Sequence, residues 1–442
     1  MHKNSRIRAS IVIFTLYLST GSTRSQDTNE ASAGTRSLAP LPFQLVLPRE
    51  HLLGDWYGTR TWLEDRGITP TLTFVTDSLG NPSGGKEQGF TTANNLGLDL
   101  NFDLEKLCDF EGASLLVSMS YRFGGSLSAN YIHNVFTTQQ VFGGETFHLI
   151  NVTYLQKLFD DRFEFRIGRI AAGDDFLVSP YNYVFVQNGF DGNPVGIFFN
   201  SPGMTAYPND TWGALVKVRP TARTYIMGGV YNGDPSIRDN SNHGVDFSMD
   251  GPLFAIAEIA YQPNSLPGDR GLLGNYKAGF WYDNSRFTDF NTGESQRGNW
   301  GFYTLFDQVL VRFGEQSSHR GFGIAGSFLV SPDQSVSQMP YFCTAALVTR
   351  GIFPLRPVDV AGLGVVFGNF SEDLQDSQQQ AQVLNPKVGV QQHETAVELT
   401  YRFAFSRSAV YVQPDLQYII RPSGTGRISD ALVLGAQIGV NF

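Results

Sequence analysis

The chain has 442 residues and a formal net charge of −9, with 17% charged residues against about 25% in a soluble globular domain. The acidic balance excludes a nucleic-acid partner, which would require a basic face. Glycine is abundant at 47 residues, aromatics make up 13%, and the mean hydropathy of −0.15 excludes a uniformly apolar protein.

The first residues predict export. Lys3, Arg6 and Arg8 form a positive stretch, Ile11 to Leu18 a short apolar core, and Ser19 to Ser25 a small, polar tail. That pattern predicts a signal peptide over 1–25, too short in its apolar run to span a bilayer as a helix. No cysteine lies near it to carry a lipid. Residues 26–48 are polar and proline-punctuated and read as a flexible leader. Within 49–68, Asp55, Trp56, Arg60, Leu63 and Gly67 predict one short helix, capped by Asp55 and stopped by Gly67. No later run of 18 apolar residues occurs, so an exported chain is either soluble or a membrane barrel. Cys108 and Cys343 are the only cysteines, too few for a disulfide scaffold; they either pair or, as the reading favours, stay free.

From Thr69 the hydrophobic period becomes two. Leu96, Leu98, Leu100 and Phe102 alternate with Gly97, Asp99, Asn101 and Asp103, and Thr395 to Phe403 repeats the pattern with Glu398 and Arg402 on the polar face. Sixteen such segments are predicted: 69–78, 94–103, 114–123, 147–157, 162–169, 211–219, 222–231, 252–261, 274–284, 299–312, 320–331, 339–349, 359–368, 393–404, 409–420 and 431–442. Gaps after odd-numbered segments are mostly long (79–93, 124–146, 170–210, 232–251, 285–298, 369–392), and those after even ones mostly short (158–161, 220–221, 405–408). Two gaps break the rule, 332–338 and 262–273. The fold class is therefore all-β: a transmembrane up-and-down antiparallel barrel over 69–442 whose polar face surrounds a wet lumen.

The last segment states the pattern most plainly. Leu432, Leu434, Ala436, Ile438, Val440 and Phe442 face one way, and Val433, Gly435, Gln437, Gly439 and Asn441 the other. It resembles the final strand of outer-membrane barrels. That likeness implies that Phe442 is part of the signal read by the barrel assembly machinery.

Four stretches together resemble the carbohydrate-selective porins of the OprB type. They are Gly54-Asp-Trp-Tyr-Gly-Thr-Arg60 with Leu63 to Gly67; Arg166-Ile-Gly-Arg-Ile-Ala-Ala-Gly-Asp-Asp-Phe176; Tyr207-Pro with Trp212-Gly213; and Gln413-Pro-Asp-Leu-Gln-Tyr-Ile419 with Ala431-Leu-Val-Leu-Gly435. The resemblance covers nearly everything after residue 50. It implies a barrel in the outer membrane of a Gram-negative-type bacterium, passing carbohydrates, with monosaccharides such as glucose foremost, by facilitated diffusion through a charged eyelet. The implied partners are the sugar, the lipid bilayer and the assembly machinery; a homotrimer and a monomer both stay open. The Gln-rich stretch Gln375 to Gln382, read as a loop, and the polar leader depart from the family's pattern.

A sugar-selective pore needs charged or amide groups to replace hydroxyl hydration and an aromatic face to stack on. Lumen parity nominates Asp99, Arg122, Glu164, Arg166, Lys217, Arg219, Lys277, Trp281, Asp283, Glu398, Arg402 and Asp415. The longest gap, 170–210, carries Asp174, Asp175, Tyr181, Asn188 and Asp191 and is expected to fold inward. Arg122, Glu164, Arg166, Arg169, Asp174 and Asp175 are the predicted eyelet cluster, with Trp281 as the stacking face. For Arg169, parity points outward unless a bulge at Gly168 turns it. Trp212 and Trp300 share parity with lipid-facing residues and read as an interfacial aromatic belt.

Enzymatic readings fail. Gly321 to Gly326 matches a dinucleotide-binding glycine spacing, but no helix follows it. The seven histidines show no zinc spacing, and no nucleophile elbow is present, so neither a metal nor a cofactor is called for. The competing functions are a general pore for small solutes and a structural or adhesive surface barrel.

Overall fold

The computed structural model describes residues 51–442, apart from 191–192, 235, 237–238, 267–268, 315–319 and 406–408. The predicted signal peptide and leader lie outside the described residues. Among the described residues the alternating segments form sixteen strands: β1 (Ile68–Gly85), β2 (Phe90–Asp103), β3 (Ala113–Gly124), β4 (Thr146–Leu158), β5 (Phe163–Ile170), β6 (Thr211–Thr221), β7 (Thr224–Asn232), β8 (Leu253–Tyr261), β9 (Gly274–Thr288), β10 (Ser295–Arg312), β11 (Gly321–Val330), β12 (Tyr341–Arg350), β13 (Val360–Asn369), β14 (His393–Phe405), β15 (Val410–Ile420) and β16 (Ser429–Asn441). Each pairs antiparallel with the next, and β16 returns to β1 with Val75 opposite Gly439, so the barrel is closed. Closure satisfies every strand edge, the condition for backbone to cross lipid.

The outward faces are apolar. Phe280, Trp300 and Phe302 form one exposed ring cluster with centroids 5.2–6.2 Å apart, as the interfacial-belt reading expected for Trp300. Trp212 also faces outward, its indole NH donating to Phe247 O at 3.1 Å. The glycine-spaced segment Gly321 to Gly326 is strand β11.

Two predicted loops are largely strand. β1 runs on to Gly85 and β2 begins at Phe90, so 79–93 is a tall hairpin; β9 and β10 do the same across 285–298. Above the lipid both faces of a hairpin meet water. The apolar alternation then stops while the hydrogen-bonded ladder continues, and periodicity alone misses the extension. The long connections otherwise gather at one end and the short ones at the other. The turn 262–273 is long among the short ones, as the sequence suggested.

The predicted N-terminal helix is α1 (Thr59–Asp65), after one turn of 3-10 helix over Trp56–Gly58. Asp55 accepts from Thr61 N at 2.8 Å and from its hydroxyl at 2.7 Å, which satisfies a first-turn amide. Gly67 ends the segment at a φ of +84°, a conformation that favours glycine. Arg60 is buried and stacks 4.2 Å from the Trp56 ring centroid. It donates to Pro70 O at 2.9 Å and Phe442 O at 2.6 Å, bridging the two strands at the barrel seam.

A short helix, α2 (Leu104–Cys108), follows β2, capped by Asp103. The Gln-rich stretch is not a loop but the helix α3 (Glu372–Leu384) at the long-loop end. Ser371 caps it through Leu374 N at 3.3 Å, with Glu372 and Asp373 in its first turn. Cys108 and Cys343 are unpaired with each other.

Candidate functional site

Two long connections turn into the barrel: 125–145 after β3 and 171–210 after β5. Their apolar residues Leu127, Phe136, Phe176, Phe185, Phe190, Ile197 and Met204 are buried with inward-facing wall residues in one cluster. The inner face of β13 makes room for them. A Cβ at Gly364 would lie 2.6 Å from Phe190 and 2.8 Å from Phe185, so these two stacked rings, 4.2 Å apart, lie flush against bare backbone. The lumen is thus wet only where the loops leave it so.

A loop inside a barrel carries backbone donors and acceptors that must find partners. The wall supplies them. Glu258 accepts from Leu177 N at 2.9 Å, and Asp283 from Gly203 N at 2.9 Å and the Ser201 hydroxyl at 2.6 Å. Lys277 donates to Val178 O at 2.7 Å, and Arg402 to Tyr183 O at 2.9 Å. Glu398 accepts from Val186 N and Gln187 N. These nominees point inward as parity predicted, but they hold the loop instead of lining a water-filled channel. Asp415 is likewise buried, accepting from Gln417 at 2.8 Å, and Asp99 lies buried on β2. Trp281 faces in but is 1% exposed, stacked on Phe254 at 6.4 Å. The ring is buried in the apolar cluster that the wall and the loops share, so it offers no stacking face.

The predicted eyelet cluster divides into three places. Arg166 pairs with Glu164 and with Asp175, each at 2.8 Å, joining β5 to the start of loop 171–210. Nearby, Lys217 and Arg219 lie 4.4 and 5.5 Å from the Tyr225 ring centroid. Asp174, one residue before Asp175, turns away and accepts from Tyr207 N at 3.3 Å. Burial raises its pKa well above the usual carboxylate range, and neighbouring Asp210 adds to this; burial pushes Asp210 itself up to about 7.

Arg122 sits apart, 4.9 Å from the Tyr207 ring centroid. Arg169 does not join the eyelet. Its register with β4 and β6 continues through Gly168, so no bulge in those ladders turns it. The guanidinium donates to Asp246 O at 2.6 Å and Asp210 O at 2.9 Å. It closes the wall where β5 ends early at Ile170. There the connection 233–252 covers the exposed edge of β4, with Leu149 N donating to His243 O at 2.9 Å.

Between the two inward loops lies a cavity of about 490 Å³ at the long-loop end. Its walls combine Arg122 with the amides of Gln140, Asn188 and Asn193 and the rings of Phe136, Phe142, Phe198, Phe199 and Tyr207. This volume falls in the range of small-molecule sites. Of these residues the sequence nominated Arg122 and placed Asn188 on the loop. Gln140, Phe142, Asn193 and the aromatic role of Tyr207 were missed, because irregular loops have no period to read. Asp191 lies outside the described residues.

The chain is similar to known porins over most of its length. It is 25% identical to Porin B of Pseudomonas aeruginosa over 425 residues, covering 88% of this chain and 91% of that one. Its fold is similar to the high pH structure of Pseudomonas putida OprB, with a TM-score of 0.82 and 26% identity, covering 90% of this chain and 99% of that one. The family described as carbohydrate-selective porin, OprB family, matches residues 87–442. With that match spanning most of a closed sixteen-stranded barrel, the chain belongs to the OprB family of carbohydrate-selective porins, channels of the Gram-negative outer membrane.

Proposed function

We propose that this porin passes monosaccharides such as glucose by facilitated diffusion, taking the sugar first in the outer cavity and then past the charged Glu164–Arg166–Asp175 constriction. The observation that carries this reading is the composition of the cavity wall, where amides, one guanidinium and five aromatic rings converge. Hydroxyls can exchange water for the amides and Arg122, and a ring face of the sugar can stack on Tyr207 or Phe142. Arg166 presents a planar fork, and Glu164 and Asp175 accept from hydroxyls. Such contacts are weak enough individually to allow release. The same reading has the assembly machinery recognise β16 with Phe442.

Planar bilayers test it. The purified porin is expected to give a small conductance that falls as glucose is added. Arg122→Met and Tyr207→Ala are each expected to raise the half-blocking glucose concentration about fivefold, the equivalent of one lost hydrogen bond or ring contact. A large conductance that glucose leaves unchanged would assign the barrel to general small solutes. No conductance at all would refute both pore readings.

A further inference from the structure

One strand holds both inward loops. Glu394 and Glu398 lie four residues apart on β14, on the same inner face, about 13 Å from each other at the rise of a strand. Both are fully buried, at 0 and 1% exposure. Glu394 accepts from Val135 N and Phe136 N, each at 2.8 Å, on loop 125–145. Glu398 accepts from Val186 N at 2.7 Å and Gln187 N at 3.0 Å, on loop 171–210. Carboxyl oxygens accept, and each side chain meets a pair of adjacent backbone donors, with Glu394 also accepting from Ser423 N at 2.7 Å.

Directly above these anchors the loops are laced to each other. Gln187 Nε2 donates to Phe136 O at 2.6 Å, Asn188 N to Thr137 O at 2.9 Å, and Gln140 N to Val186 O at 3.0 Å. Val135, Phe136, Gln140 and Asn188 from these same segments line the outer cavity. The two anchors therefore hold segments of both loops that line the cavity.

We propose that Glu394 and Glu398 are positioning residues for sugar selectivity: a paired post on one strand that fixes both constriction loops and so gauges the cavity between them. Neither glutamate touches the sugar; each acts through the loop it holds. The proposal rests on the cavity's being the sugar site. Removing either acceptor pair lets one side of the cavity swing away, widening the aperture and dispersing the sugar contacts.

The test compares Glu394→Gln, Glu398→Gln and Glu398→Ala in the full-length porin, with folding checked by the gel shift between unheated and heated samples. Glutamine keeps one acceptor but sets an amide donor against a backbone donor, so it should rescue part of the alanine defect. The half-blocking glucose concentration is expected to rise about fivefold in Glu398→Gln and further in Glu398→Ala, with a larger open conductance in both. Hydrogen exchange is expected to quicken at Val186 and Gln187 in the Glu398 variants and at Val135 and Phe136 in Glu394→Gln. Unchanged conductance, block and exchange in folded variants would overturn the proposal. If the glutamate variants do not fold, Gln187→Leu, which cuts the side-chain lacing bond to Phe136 O together with the bond from Gly189 N, should still raise conductance; an unaltered channel there would count against it. A wild-type channel that glucose fails to block would defeat the sugar-site reading, while the conductance and exchange results would still decide the anchoring.

Discussion

Arg166→Met is the sharpest perturbation of the proposed constriction. The guanidinium bridges Glu164 on the wall and Asp175 on the loop, both at 2.8 Å, and all three side chains are 10–14% exposed. Solvent screening is therefore slight. Taking the shared partner out of a buried ion pair leaves uncompensated charge and costs about 3–5 kcal/mol. Because Asp175 belongs to the loop, the cost is borne by the loop's attachment to β5. At about 1.4 kcal/mol per factor of ten, even the lower figure shifts the ratio of released to seated loop about a hundredfold. The next anchor along the chain, Leu177 N to Glu258, remains, so the release is confined to the first turn of the loop. Single-channel recording is expected to show flickering between the parent conductance and a larger level, with a raised half-blocking glucose concentration. Arg169→Met serves as the contrast: it should loosen the wall without moving the sugar block. A quiet Arg166→Met channel with parental conductance and block would refute the assignment of this triad to the constriction.

Three further outcomes are expected. Arg60→Met removes donors to Pro70 O and Phe442 O across the β1–β16 seam, and should lower the temperature at which the barrel unfolds in detergent by several degrees while leaving sugar block unchanged. Asp210 has its pKa raised from 3.8 to about 7 in the folded protein, so its bound proton favours the folded loop at acid pH. That contribution is lost as the pH rises from about 4 to about 7 and changes no further above it; loop amides should show lower protection factors, after correction for the intrinsic rise of exchange with pH, at pH 8 than at pH 5, and Asp210→Asn should flatten the difference. Trp281→Phe should leave the half-blocking concentration where it is, because the indole is buried; a raised value would return Trp281 to the sugar path.

The wall was readable because lipid imposes one. Every strand must show an apolar face outward, and residues such as Leu96, Leu98 and Leu100 record that demand at a fixed period. Parity accordingly placed Glu398, Lys277, Asp283 and Trp281 on the inner face. It could not say what they meet there, since the answer depends on a loop 80 to 212 residues away in the chain. Arg169 shows the same limit. Its outward parity was visible, but its role follows from the early end of β5 and the arrival of Asp246 from another connection. Ser371 with Glu372 and Asp373 is the pattern of a capped helix start, but the glutamines after it carry no apolar period that would mark helix α3. The cavity residues Gln140 and Asn193 left no such mark.

The bare inner face of β13 has a consequence for how such channels change. Because Gly362 and Gly364 take the rings of Phe185 and Phe190 without a side chain of their own, the aperture is made by subtraction from a wider tube. Diameter belongs to the strand number, and on the proposed reading selectivity belongs to an insert stowed within it. Editing the insert can retune what passes while the wall, its lipid contacts and its closure stay as they are. The barrel is then a housing, and the part proposed to choose the cargo is a separate fitting inside it.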